Sequence, residues 1–164
     1  MILDLAAQSD FKMTTIVKHY SNLTMQQALT AKTQCIGSLS KKDDLNVRKC
    51  ISNLFIGISL YFDKPLEPSQ TNIIAEELLA TYNYRSLRLE DLVVICQRLK
   101  QSEMYKLTLQ RILREINKYT IEREKMAMFN SQRNSKQEKQ KKDFNNTTLE
   151  DRLKKAFYLT PSSK

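Results

Sequence analysis

The stretch Val47-Arg48-Lys49-Cys50-Ile51-Ser52-Asn53-Leu54-Phe55-Ile56-Gly57-Ile58 decides the fold of this chain. Its apolar residues Val47, Cys50, Ile51, Leu54, Phe55 and Ile58 follow one another at intervals of 3, 1, 3, 1 and 3. That is the period of one face of an α-helix, whereas a half-buried strand would alternate every second residue. Asp43 or Asp44 is placed to start this helix, and Asp63-Lys64-Pro65 to end it.

The pattern repeats in both directions. Upstream, Phe11, Ile16, Val17 and Tyr20 lie loosely on one side of a weaker helix. Thr24 and Gln27 then have capping-box spacing ahead of Met25, Ala28, Leu29 and Ile36, with Gly37 as the stop. Downstream, Pro68-Ser69 opens a helix whose predicted buried face is Ile73, Ile74, Leu78, Leu79 and Tyr82. A polar turn at Asn83 to Ser86 leads to a helix over Glu90 to Lys100. Its Leu92-Val93-Val94-Ile95 run also fits a buried strand, but its flanks favour helix. A long helix from about Thr108 to beyond Lys125 is built on Leu109, Ile112, Leu113, Ile116 and Tyr119. Only 2 Gly and 3 Pro occur in 164 residues, too few for the turns of a sheet protein. The expected fold is all-α: a compact bundle of four to six helices within a domain over 1–129, its first ten or so residues loose, followed by a basic, flexible C-terminal tail.

The tail divides in two. Residues 130–146 are dominated by Asn, Ser, Gln, Lys and Arg, with Phe144 the one large apolar residue. They bury too little to offset their ordering entropy and read as a disordered linker. Thr147-Thr148-Leu149-Glu150 has capping-box spacing and opens a short amphipathic helix over 147–158, with Leu149, Leu153, Ala156 and Phe157 on one side.

Composition narrows the chemistry. Cys35, Cys50 and Cys96 are an odd number, form no CxxC pair and sit among apolar residues, so they read as reduced core thiols. With a single His they offer too few ligands for a structural zinc site. His19, between Lys18 and Tyr20, reads as a surface residue rather than a base. The acidic pairs Asp43-Asp44, Glu76-Glu77 and Glu90-Asp91 are sequence neighbours, pointing about 100° apart on a helix rather than at one metal ion. No P-loop, GxGxxG, HExxH or GxSxG motif occurs. The expectation is a protein that is not an enzyme and takes no cofactor. The longest apolar stretch, Leu54 to Phe62, is far short of a membrane span of about 18 residues, and Asp4 stands where a secretory signal carries positive charge. A cytoplasmic, membrane-free protein is therefore expected.

Charge gives the functional clue. Residues 1–110 carry 13 Lys/Arg against 11 Asp/Glu, while residues 111–164 carry 14 against 7, so most of the net +9 is C-terminal. Arg133, Lys136, Lys139, Lys141 and Lys142 form the densest cluster. On the long helix, Arg111, Arg114 and Lys118 share a side with Lys125, opposite the apolar stripe, and Glu115 and Glu122 are spaced to pair with Arg111 and Lys118. The loop Tyr82-Asn83-Tyr84-Arg85-Ser86-Leu87-Arg88 mixes aromatic and basic side chains. It reads as a core Tyr82 beside solvated Arg85 and Arg88, or as a stacking platform. Gln70 to Lys100 is helix, turn, helix. The turn is too long for a groove-reading motif, and Glu90 and Asp91 would face phosphates. Arg123 falls about 20° from Ile112 on the helical wheel, inside the apolar face, and so requires an acceptor. Asp91, at the start of the preceding helix, is the expected one.

Residues Ile73 to Lys125 resemble a group of small helical proteins of phages and mobile elements of Bacteroides-type bacteria. The resemblance rests on Tyr82, Leu87-Arg88-Leu89-Glu90-Asp91-Leu92, Lys100 and Tyr119-Thr120-Ile121-Glu122-Arg123, with Ala28-Leu29 and Ile36-Gly37-Ser38-Leu39 upstream. Where that group often carries a glycine-containing turn, this chain has Gln101-Ser102-Glu103-Met104-Tyr105. The resemblance implies a phage or mobile-element setting and no particular activity. Together these readings predict a nucleic-acid-associated accessory protein that recruits replication machinery. The competing reading is an adaptor or virion component docking a protein partner through Leu149, Leu153, Ala156 and Phe157.

Overall fold

In the computed structural model, residues 2–7, 13–102 and 106–158 are described, with side chains as far as residue 141 and at Lys154. The fold is all-α. Among the described residues there are seven α-helices, a single 3-10 turn and no strand. They are α1 (Ile2–Ala6), α2 (Met13–Tyr20), α3 (Met25–Thr30), α4 (Ile36–Ser59), α5 (Pro68–Ala80), the turn at Tyr84–Ser86, α6 (Leu89–Gln101) and α7 (Leu109–Tyr158). The chain forms two units, Met1–Glu124 and Lys125–Lys164.

In the first unit α4 packs against α5 and α6, because its stripe is the widest apolar face. Val47, Cys50, Ile51, Leu54, Phe55 and Ile58 are all buried, and each large side chain among them contributes roughly 1.5–3 kcal/mol. Leu78 and Ile74 of α5 and Leu92, Ile95 and Cys96 of α6 complete this core. Local signals set most boundaries. The Thr24 hydroxyl accepts from Gln27 N, and the Gln27 side chain accepts from Thr24 N. Pro68 occupies the first turn of α5, behind Glu67 as N-cap.

Several boundaries and faces differ from the sequence pattern. The chain is already helical at Ile36, so Gly37 lies in the first turn of α4 rather than stopping α3. Asp43 has φ −153° and ψ 77°, marking a kink inside α4, and its Oδ1 accepts from Asn46 N at 3.2 Å. The start signal at Asp43 thus caps the second half of a longer element. The buried face of α5 is Thr71, Ile74, Ala75, Leu78 and Leu79, while Ile73 is half exposed and Tyr82 is 87% exposed. α5 ends at Ala80, so Tyr82 never joins its helical face. Cys50 and Cys96 are core thiols, but Cys35 is the half-buried N-cap of α4. Phe11 lies outside the described residues.

α7 continues past Phe129 to Tyr158 as one helix of 50 residues. Residues 130–146, whose composition predicts a linker, are helical, and Thr147 lies inside the helix rather than at its start. The local cause is the absence of Gly and Pro throughout 109–158, combined with many Gln, Lys, Arg and Glu residues that favour helix.

Candidate nucleic-acid interface

The start of α6 is the polar centre of the first unit. Asp91 is fully buried, and its carboxylate accepts from three directions. Arg88 N donates to Oδ2 at 2.7 Å, while the Tyr119 hydroxyl and Arg123 Nε donate to Oδ1 at 2.8 and 3.1 Å. The first bond closes the N-terminus of α6 and the other two tie α7 to it. The structure therefore brings Asp91 and Arg123 together, and Arg123 Nη2 also reaches the Ser86 carbonyl at 3.4 Å. A buried carboxylate with this many donors, one of them cationic, offsets its own desolvation. Burial, and then the neighbouring Asp91 charge, push the Tyr119 phenol well above the usual tyrosine range. Burial likewise pushes the Cys50 and Cys96 thiols up to about 12. All three groups are held protonated and act as packing groups or donors, not nucleophiles.

Arg98 lies seven residues after Asp91, on the same face of α6. It stacks over the Tyr119 ring at 5.0 Å and pairs with Glu122 at 2.7 Å and Glu115 at 3.7 Å. This corrects the expected Glu115–Arg111 and Glu122–Lys118 pairs, because both carboxylates turn toward α6. The same-face spacing of Asp91 and Arg98 was the available signal. Arg111, Arg114 and Lys118 are left exposed without an ion pair among the described residues, Arg111 touching only the Lys106 carbonyl at 3.4 Å.

The two loop arginines do not behave as freely solvated cations. Arg88 donates through Nε to Thr33 O at 3.1 Å and through Nη1 to Ala28 O at 3.1 Å and to Leu29 O, capping α3. Arg85 is half-buried against Gly37, where an added Cβ would stand 2.9 Å from Arg85 Cβ. A side chain at position 37 would push the loop away, so the glycine is required by this close approach.

In the second unit Lys125, Arg133, Lys136, Lys139 and Lys141 are all exposed. Glu138 is the one carboxylate within 125–141. Counting about 100° per residue, Lys125, Arg133, Lys136 and Lys139 fall within one third of the helix circumference. Lys142 and the docking candidates Leu149, Leu153, Ala156 and Phe157 lie outside the described side chains. Among the described residues no three His, Cys, Asp or Glu side chains group as metal ligands, and no helix is long and apolar enough to cross a membrane.

No protein-family model matches the chain, and comparisons with curated proteins and with solved structures gave no match.

Proposed function

We propose that this chain is a non-catalytic accessory protein of a phage or mobile element, acting in the host cytoplasm on nucleic acid and recruiting replication machinery to it. The observation that carries this reading is the helical arm from Lys125 to Lys141. Its five cations are solvent-facing and form no ion pair among the described residues, and Glu138 is the one carboxylate within 125–141. Such a row neutralises phosphates by displacing their counterions, and needs no base-specific contact to do so. Arg111, Arg114 and Lys118 supply a second set of unpaired cations in the first unit.

The test is the salt dependence of binding to DNA or RNA of mixed sequence. If all five arm cations engage, log affinity falls against log salt with a slope of roughly −3.5 to −4.5. Each Lys→Gln or Arg→Gln change at Arg133, Lys136, Lys139 or Lys141 reduces the slope by roughly 0.7–0.9. Absence of binding at low salt removes the function.

A second reading has its own observation. Met128 and Phe129, one helical step apart, are 67% and 64% exposed, and large apolar side chains left bare at neighbouring positions suit a protein partner. On this reading the chain is an adaptor or virion component, docking through the arm and through Leu149, Leu153, Ala156 and Phe157. A partner retained after nuclease treatment and lost on Leu153→Asp supports it over the first.

A further inference from the structure

We infer that Tyr82 is a stacking site for an unpaired base, so that the nucleic acid bound by this protein is single-stranded where it crosses the loop between α5 and α6; this rests on the nucleic-acid reading above. Tyr82 is 87% exposed, the largest exposure among the large apolar side chains described, against zero for Tyr119. Among the described residues its hydroxyl makes no hydrogen bond and its ring meets no cation. The backbone that carries it is fixed from both sides. Thr81 N donates to Glu77 O at 3.0 Å, Tyr84 N and Arg85 N donate to Thr81 O at 3.1 and 3.2 Å, and Leu87 N donates to Tyr84 O at 2.9 Å. The Thr81 hydroxyl holds Glu77 at 3.0 Å and the Ser86 hydroxyl holds Asn83 O at 3.0 Å. The ring is therefore presented on a backbone that is already ordered, which lowers the entropic cost of binding to it.

The surroundings favour a base over an apolar protein surface. Asn83 and Ser86 are exposed polar neighbours and Arg85 follows three residues on, whereas a protein hot spot sits in an apolar patch. Any base offers a flat π-face to a tyrosine, so stacking requires no particular sequence. Duplex DNA keeps its bases stacked on one another and has none to offer.

The test uses the full chain, a labelled thymidine homopolymer and a duplex of equal length. Tyr82→Ala is expected to weaken homopolymer binding about five- to a hundredfold, the contribution of one stacked base, and to leave duplex binding unchanged. Tyr82→Phe, which keeps the ring, is expected to restore homopolymer binding. Unchanged homopolymer affinity in Tyr82→Ala, or equal losses on both probes, overturns the stacking site while leaving the electrostatic reading intact. Failure of the unaltered protein to bind either probe at low salt overturns both. Because Tyr82 is outside the core, thermal unfolding of both variants should match the parent, so lost binding is not lost fold.

Discussion

The two halves of α7 show how one helix is held in two different ways. Between Leu109 and Glu124, Ile112, Ile116, Tyr119, Thr120 and Arg123 are buried, and two of them bond to Asp91. From 131 to 141 every side chain is exposed. Both stretches are free of Gly and Pro and rich in helix-forming residues, so their local preferences are similar. Only the first gains from tertiary packing, which supplies most of the stability of helices in folded proteins. The second has its backbone preference alone, and its side chains remain available to a partner. The proposed nucleic-acid contact draws on the half whose side chains the fold leaves exposed.

The largest effect that would test this contrast is at the buried pair. Arg123→Ala removes the cationic donor to the buried Asp91 carboxylate and should destabilise the first unit by roughly 3–5 kcal/mol in denaturant unfolding. A double-mutant cycle with Asp91→Asn should show coupling between the two sites. Additive effects below about 1 kcal/mol would mean that this half of α7 is anchored by its apolar stripe alone.

Next in size is the alkaline response, which belongs to the packed region only. Tyr119, Cys50 and Cys96 have folded pKa values raised above their ordinary values of 10.0 and 9.0, chiefly by burial. For a raised pKa the unfolded chain loses its proton first, so the stability is fully present below the unfolded value and is lost as pH climbs above it. Unfolding free energy should be insensitive to these groups below about pH 9, then fall by up to roughly 1.4 kcal/mol per pH unit for each group titrating in the unfolded state. Cys96→Ala should make that fall shallower. An unchanged slope would place the thiol's titration outside the folding equilibrium.

How much was legible in the sequence follows the same division. Helical periodicity exposed the α4 stripe, and the wheel position of Arg123 pointed to a buried charge needing an acceptor, because both depend on spacing along one helix. Tyr82 was misplaced because a helix end cannot be located to within two residues from propensity, and two residues moved this ring from core to solvent. Arg88 looked like a surface cation because its acceptors, the carbonyls of Ala28, Leu29 and Thr33, lie more than fifty residues away. The partner of Glu115 and Glu122 was likewise a tertiary matter: Arg98 on the neighbouring helix displaced the i,i+4 pairs. As for the interface, the sequence displayed its charges but not which of them the fold would occupy.

The sharpest test of the contrast is a proline placed in each half of α7, and the one in the arm carries the smallest effect expected. Asn117 and Ser135 are both exposed, so neither substitution removes a buried side chain. At either site proline deletes a backbone hydrogen bond and clashes with the preceding turn, costing the helix about 3 kcal/mol. In the first half that cost passes to the whole unit, since Ile112, Ile116 and Tyr119 are seated in the core only while the helix is intact. Asn117→Pro should therefore lower unfolding stability by about 3 kcal/mol or more. In the arm nothing described packs on the helix, so Ser135→Pro should shift the stability of the first unit by less than about 0.5 kcal/mol, while reducing helical circular dichroism. Hydrogen exchange gives the companion measurement: amides of 131–141 should exchange with little protection, those of 47–58 with strong protection. Equal costs for the two prolines, or strong protection in both segments, would show that the arm is packed against something, and its cations would no longer count as free for nucleic acid.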